Sequence, residues 1–175
     1  MKRFFSLMLV ALMLCVMASP AMAEGYKAEN LKAFAAMMDA NGYTYEWSDD
    51  GSYITSEFSI DCGLEDCDVW IWSYDRGLKV QADIPFTVSQ RDMDELAKFC
   101  VMMNHKLLYG EFYMSYENGY FGYEVVCLGY DHVISQNDLN YALVLAVSML
   151  EDYGDGILAI TDSGYTAEEA FALYF

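Results

Sequence analysis

Positive charge is scarce in this chain. Nine Lys and Arg residues stand against 27 Asp and Glu among 175 residues, which gives a formal net charge of −18 at pH 7. Phosphate backbones and anionic lipid surfaces repel a chain of this charge. We therefore expect neither nucleic acid nor an anionic membrane surface as a partner.

Catalytic motifs are missing as well. The chain contains no nucleophile elbow, phosphate-binding loop or zinc-protease motif. His105 and His132 lack the spacing of zinc ligands, and the acidic residues around Asp152 lack the pattern of an EF-hand loop, which leaves only loose, unspecific calcium binding. We assign no catalytic, cofactor-binding or metal-binding residue and expect no cofactor. A hydrolase ranks third, behind two kinds of binding module.

The one long apolar run lies near the N-terminus. Lys2 and Arg3 precede it, and the small residues Ala21 and Ala23 follow it. This order is typical of a secretory signal peptide. We expect residues 1–23 to be removed after Ala23 and the remaining chain to be secreted or held at the exterior of the cell envelope. Because two positive charges would leave with the signal peptide, the formal net charge would change from −18 to −20.

Two alternatives to removal fit the residues less well. A lipoprotein signal would place a small residue before Cys15, but Leu14 stands there. A membrane-spanning helix needs about twenty apolar residues, and Ser19 and Pro20 interrupt this run earlier. The helix candidates downstream contain charged residues, so we expect no membrane insertion.

Four cysteines follow the predicted cleavage site, an even number in a chain that we expect to meet an oxidising compartment. Cys62 and Cys67 flank a short turn between two predicted strands, where residues opposite each other lie within disulfide range. We predict a disulfide between them. Cys100 and Cys127 lie on apolar faces, so they are a weaker candidate pair and also fit two small buried side chains.

Apolar periodicity and turn chemistry predict the secondary structure. The expected helices cover residues 29–41, 89–108 and 135–153, and the expected strands cover residues 43–47, 53–61, 68–74, 78–84, 111–116 and 120–128. Ser89 and Ser135, each followed three residues later by Asp, predict capping boxes. Asn118 and Gly119 predict a type I′ hairpin, and Gly154 predicts the end or a bend of the third helix.

This order of elements predicts an α+β fold. One antiparallel sheet carries helices packed on one face, in the order α-β-β-β-β-α-β-β-α. We assign residues 24–160 to this domain. Residues 161–175 form an aromatic C-terminal tail, which we expect to fold as a short helix packed on the domain.

Four local features of the chain form a recognisable combination. They are Gly42-Tyr43 after the first helix, the segment 101–104 that ends the second, the aromatic hairpin at residues 110–126, and the segment 151–153 that ends the last. Together they resemble the YbjN-type domain family of bacterial sensory transduction regulators over residues 31–160. The resemblance implies a fold similar to that of type III secretion chaperones and carries no active-site residues. The predicted signal peptide, the cysteine pair and the aromatic tail depart from the family's pattern.

An aromatic stripe marks the third predicted strand. Side chains alternate between the two faces of a strand, so Trp70, Trp72 and Tyr74 point one way and the aliphatic residues between them point the other. Helices on one face leave the aromatic face uncovered. Tyr113 is a further candidate for this uncovered surface.

Two binding functions fit such a surface. The leading hypothesis is that Trp70, Trp72, Tyr74 and Tyr113 bind a protein partner or a second copy of the chain. The alternative is a carbohydrate-binding module that stacks sugar rings on the aromatic face. The competing structural explanation is that the tail covers the stripe, or that the strand is buried on both faces.

Overall fold

The computed structural model describes residues 19–129 and 132–175. Residues 1–18, most of the predicted signal peptide, lie outside the described residues. The first helix begins at Ser19, so it includes the predicted cleavage site after Ala23. In the part of the chain that is described, no helix is long and apolar enough to cross a membrane.

The helices and strands follow one another in the predicted order. They are α1 (Ser19–Asn41), β1 (Glu46–Trp47), β2 (Tyr53–Ser59), β3 (Asp66–Tyr74), β4 (Gly77–Asp83), α2 (Met93–Asn104), β5 (Glu111–Met114), β6 (Phe121–Leu128), α3 (Gln136–Thr161) and α4 (Ala167–Phe171). The main additions to the predicted ranges are the earlier start of α1 and the later end of α3.

The strands form one six-stranded antiparallel sheet in the order β1-β2-β3-β4-β6-β5. Helices α1 and α3 pack on one face of it. Val69 and Ile71 of β3 and Val80 and Ala82 of β4 point into this layer and are fully buried. The predicted α+β fold with helices on one face is confirmed.

Helix α3 does not end at its glycines. It continues through Gly154 and Gly156 to Thr161, so the predicted end near Tyr153 is wrong. A Cβ atom on Gly154 would lie 2.6 Å from the Cys62 Sγ, and one on Gly156 would lie 2.8 Å from the Tyr174 ring. These glycines allow close packing of the helix against its neighbours, which is a role that the sequence pattern does not distinguish from helix termination.

The two predicted capping boxes differ. The Ser135 hydroxyl accepts the backbone N–H of Asp138 at 3.2 Å and caps α3, which is one half of the predicted box. The Asp138 carboxylate accepts the Ser135 hydroxyl at 2.7 Å and does not complete the other half. Ser89 does not cap α2, because that helix begins later, with Asp92 as its N-cap residue. The Ser89 hydroxyl instead donates to the Asp92 carboxylate at 2.6 Å.

The β5–β6 connection is not the predicted type I′ turn. Such a turn needs positive φ at both central residues, whereas Gly119 has φ +74° and Asn118 has no positive φ. The Ser115 N–H donates to the Tyr120 carbonyl oxygen at 2.8 Å, so the loop is longer than two residues. The Asn118 side chain accepts the N–H of Tyr120 within it.

The aromatic tail lies on the helix layer. Thr166 caps α4 through a capping box with Glu169. Helix α4 contacts α2 and α3. The Gly156 N–H donates to the Tyr174 hydroxyl at 2.7 Å, and the Tyr174 ring meets the Tyr153 ring edge to face at 4.8 Å. The tail is therefore held on the side of the sheet opposite the aromatic stripe.

Asn104 at the end of α2 acts as a pairing partner for strand β5. Its amide donates to the Phe112 carbonyl oxygen at 2.9 Å and accepts the Phe112 N–H at 2.8 Å. The edge of the sheet is thereby tied to the helix, and the fully buried ring of Phe112 is fixed beside those of Phe99 and Tyr123.

We expect Asn104→Ala to lower the free energy of unfolding by about 1–3 kcal/mol, because two partly buried backbone groups lose their partner. Asn137→Ala, at an exposed position in the first turn of α3, is the matched control and should change it by less than about 0.5 kcal/mol. Urea denaturation followed by circular dichroism measures both. Equal stabilities of the two variants would contradict the pairing role.

Candidate functional site

The helix-free sheet face is the surface of the sheet on which none of the described helices packs. Strand β3 contributes Trp70 and Trp72 to it, because these residues alternate with the buried Val69 and Ile71. Both tryptophans are half-buried. The tail does not cover them, and the described part of the chain does not enclose them. The two structural explanations, a covering tail and a strand buried on both faces, therefore do not apply to Trp70 and Trp72.

An aromatic cluster forms at the centre of the helix-free sheet face. The Trp70 and Trp72 rings lie nearly parallel, with an interplanar angle of 8° and centroids 5.9 Å apart. Tyr53 of β2 lies opposite Trp72 in the register, and its ring is 5.7 Å from Trp70 and 6.3 Å from Trp72. The three rings support one another while part of each remains accessible.

The other two predicted surface residues lie apart from this cluster. Tyr74 ends β3 and is 52% exposed, with no ring contact among the described residues. Tyr113 of β5 shares the sheet face but is half-buried, and its hydroxyl donates to the Asp83 carboxylate. Of the four predicted surface residues, the structure brings Trp70 and Trp72 together, leaves Tyr74 apart, and places Tyr113 as a hydrogen-bond donor to Asp83.

Asp83 is a buried carboxylate at the edge of the cluster. Only 8% of the residue is exposed. The Gln81 amide donates to its two oxygens at 3.0 and 3.1 Å, and the Tyr113 hydroxyl donates to Oδ1. Burial raises the pKa of Asp83 above the usual 3.8, against the lowering effect of these two hydrogen bonds. Burial and the nearby Asp83 charge also raise the pKa of Tyr113.

Lys79 brings the nearest positive charge. Its Nζ lies 2.9 Å from Glu124 Oε2 and 5.2 Å from the centre of the Trp72 ring. This places one cation against the aromatic cluster, at a distance typical of a cation–π contact. Asp68, directly opposite Asp83 in the β3–β4 register, is exposed and takes part in none of the ion pairs of the described residues.

The four described cysteines are free thiols, so neither predicted disulfide is present. Cys67 of β3 lies opposite Phe58 in the β2–β3 register. Cys62 lies in the turn between these two strands, where its Sγ is 3.7 Å from the Leu150 carbonyl oxygen. The premise that Cys62 and Cys67 face each other across the strands is therefore wrong.

The second pair is divided between two elements. Cys100 is buried on α2, and Cys127 of β6 lies with its Sγ 3.7 Å from the Asp138 carbonyl oxygen. Burial raises the pKa of the enclosed Cys67 and Cys100 to about 12 and that of the half-buried Cys127 to about 11, so the three side chains are thiols and not thiolates at neutral pH.

Metal ligands do not converge in the described residues. No group of three or more His, Cys, Asp or Glu side chains there is placed to hold a metal ion. His105 follows α2 as its C-terminal cap residue and is exposed, as is His132. The helix-free sheet face combines aromatic area with a few polar and charged groups, which is the composition typical of ligand-binding sites.

Three contributors to this surface are not evident from the sequence. Tyr53 falls within a predicted strand, but its place beside Trp72 depends on the β2–β3 register. Gln81 and Asp83 alternate with the apolar residues of β4, and this pattern does not show that Asp83 is buried. The hydrogen bond between Asp83 and Tyr113 joins strands that are far apart in sequence.

Comparison with known proteins identifies a family. The model of the YbjN family, described as "Putative bacterial sensory transduction regulator", matches residues 30–159. No curated protein and no solved structure is significantly similar to the chain.

The raised pKa of Asp83 makes stability depend on pH. A carboxyl group whose pKa is raised by folding stabilises the folded state below its ordinary pKa, and this contribution is lost as the pH rises through the folded-state value. We therefore expect the stability of the parent chain relative to Asp83→Asn to fall as the pH rises above about 4, the ordinary value of a carboxyl group. Urea denaturation at a series of pH values from 4 to 7 measures the difference.

Asp75→Asn removes a carboxylate from the exposed β3–β4 turn and controls for the loss of one negative charge. A constant stability difference between the parent chain and Asp83→Asn from pH 4 to pH 7 would show that burial does not disfavour the ionised form of Asp83.

Proposed function

Because this chain belongs to the YbjN family, whose description is that of a regulator and not of an enzyme, we propose that it is an exported, non-catalytic interaction module that binds a polypeptide through its helix-free sheet face. The observation that carries this proposal is the half-buried Tyr53, Trp70 and Trp72 cluster, which neither the helices nor the tail covers. Aromatic residues of this kind supply a large share of the energy of protein interfaces.

The arrangement of strands supports a polypeptide ligand. The cluster lies on β2 and β3, which are each paired with a strand on both sides, so the sheet positions its side chains before a partner arrives. Pre-positioned aromatic side chains lose little conformational entropy on binding. The partner is a second copy of the chain or a different protein.

A carbohydrate-binding module is the second candidate function. Half-buried tryptophans beside the exposed carboxylate of Asp68 are features that sugar sites also use. Lys79 already occupies one face of the Trp72 ring, which reduces the area on which a sugar ring could stack. The polypeptide proposal therefore stands first.

Export predicts processing of the N-terminus. When the full-length chain is produced in a bacterial host with its own N-terminal segment, the purified product should begin at Glu24, as intact-mass spectrometry will show. Replacing Ala21 and Ala23 together by Leu should block cleavage, because the enzyme needs small residues there. An unprocessed parent chain would contradict export, whereas a chain that begins at Cys15 and carries lipid there would contradict cleavage after Ala23.

Peptide binding tests the role of the aromatic cluster. We expect the purified chain to bind a reproducible subset of a surface-bound library of 12-residue peptides. The double variant Trp70→Ser/Trp72→Ser should bind them at least tenfold more weakly, a loss of about 1.4 kcal/mol or more. Trp47→Ser, which removes a 42% exposed tryptophan from edge strand β1, is the matched control and should bind like the parent chain.

Two further measurements interpret the result. Light scattering on the three proteins identifies a second copy as the partner if the parent chain is a dimer and the Trp70→Ser/Trp72→Ser variant is a folded monomer. Binding of the parent chain to immobilised glycans but to no peptide would favour the carbohydrate function. Equal peptide binding by the parent chain and the double variant would contradict the proposed use of this face.

A further inference from the structure

A groove beside the aromatic cluster combines rings and carboxylates. Its volume is about 390 Å³, which lies within the range of ligand-binding pockets. The sheet contributes Trp70, Trp72 and the carboxylates of Asp68 and Asp83, and the opposite rim includes the partly exposed rings of Phe86 and Tyr120.

Negative charge in this groove has no paired cation among the described residues. Asp68 and Asp83 lie directly opposite each other on β3 and β4, an arrangement that is unfavourable for two like charges. Within the described part of the chain, Asp83 receives hydrogen bonds only from neutral groups, the Gln81 amide and the Tyr113 hydroxyl. The ion pairs of the described residues involve other carboxylates, and Lys79 is engaged by Glu124. A cation entering the groove would offset the cost of burying Asp83.

The rings favour the same kind of ligand. Trp is the best aromatic partner for a cation, and the position of Lys79 over Trp72 shows that this cluster accommodates one. A guanidinium group is planar, so it can stack on a ring while it donates hydrogen bonds to two carboxylate oxygens. The compact ammonium group of lysine cannot do both in this way.

We propose that this groove receives an arginine side chain of a basic partner polypeptide. The inference rests on the proposed function, since it names the chemistry of the partner that the helix-free sheet face recognises. A chain with a net charge of −18 attracts a basic segment over a distance and guides it to the groove.

A second copy of the chain is the poorer occupant. It carries the same excess of negative charge, and it contains only three arginines, Arg3, Arg76 and Arg91. Arg91 is paired with Asp92 at 2.8 Å, and Arg3 belongs to the predicted signal peptide. The groove is therefore better suited to a different protein.

The test uses a short peptide as the probe. The product of the full-length gene is titrated with acetyl-Gly-Arg-Gly-amide and, separately, with the same peptide carrying citrulline, which has the shape of arginine without its charge. The indole N–H signals of Trp70 and Trp72, assigned by nuclear magnetic resonance, report binding at the groove. We expect the arginine peptide to shift both signals and to bind at least tenfold more tightly than the citrulline peptide.

Variants distinguish binding in the groove from general attraction of the peptide to the acidic surface of the protein. Asp68→Asn and Asp83→Asn should each weaken binding of the arginine peptide at least tenfold, and Asp68→Asn keeps the test valid if Asp83→Asn fails to fold. Glu168→Gln removes one exposed charge from α4, on the helix side of the sheet, and should leave binding unchanged.

Three outcomes would overturn the inference: equal binding of the arginine and citrulline peptides, unshifted indole signals, or equal weakening by Glu168→Gln and Asp68→Asn. The proposed function would survive any of them if the peptide library still binds the parent chain and not the Trp70→Ser/Trp72→Ser variant. If neither the arginine-peptide test nor the peptide-library test gives the expected result, the proposed function is contradicted as well.

Discussion

A single helix layer can cover only one face of a sheet, and this constraint shapes the whole domain. The aliphatic residues of β3 and β4 that face α1 and α3 are fully buried and form the core. Trp70 and Trp72 alternate with them on the same strand, so they must lie on the uncovered face. The tail does not cover these tryptophans, because the Tyr174 hydroxyl accepts a hydrogen bond from the Gly156 N–H on the helix side of the sheet. The aromatic surface is thus a consequence of how the sheet is covered.

Side chains of the uncovered face stabilise one another across strands. The aromatic cluster joins β2 to β3, the Lys79–Glu124 ion pair joins β4 to β6, and Asp83 joins β4 to β5 through Tyr113. Cross-strand pairs of these kinds each contribute roughly 0.2–1 kcal/mol. This arrangement buries the carboxylate of Asp83, which is unfavourable for its ionised form and raises its pKa.

Local patterns predicted the elements well and long-range geometry poorly. Apolar alternation located β3 and its two faces, because it depends only on neighbouring residues. The structural role of Gly154 was misjudged, since a glycine that admits Cys62 and a glycine that ends a helix look alike in sequence. The predicted Cys62–Cys67 disulfide was wrong because the sequence does not show the strand register, which places Phe58 opposite Cys67. The burial of Asp83 is not evident from the local pattern of β4, because it depends on Tyr113, thirty positions further along the chain.

The negative charges around the tryptophans also determine what can approach them. An uncovered aromatic face on a neutral protein would adhere to many apolar surfaces, itself included. Here Asp68 and Asp83 flank the rings, and an apolar partner would have to cover these carboxylates without offering them a hydrogen-bond donor or a cation, which is costly. A partner that brings a cation avoids that cost and gains the contact with the rings. In the proposed binding mode, charge and aromatic area on this face act together: the rings would supply the energy of binding, and the carboxylates would restrict it to ligands that can neutralise them.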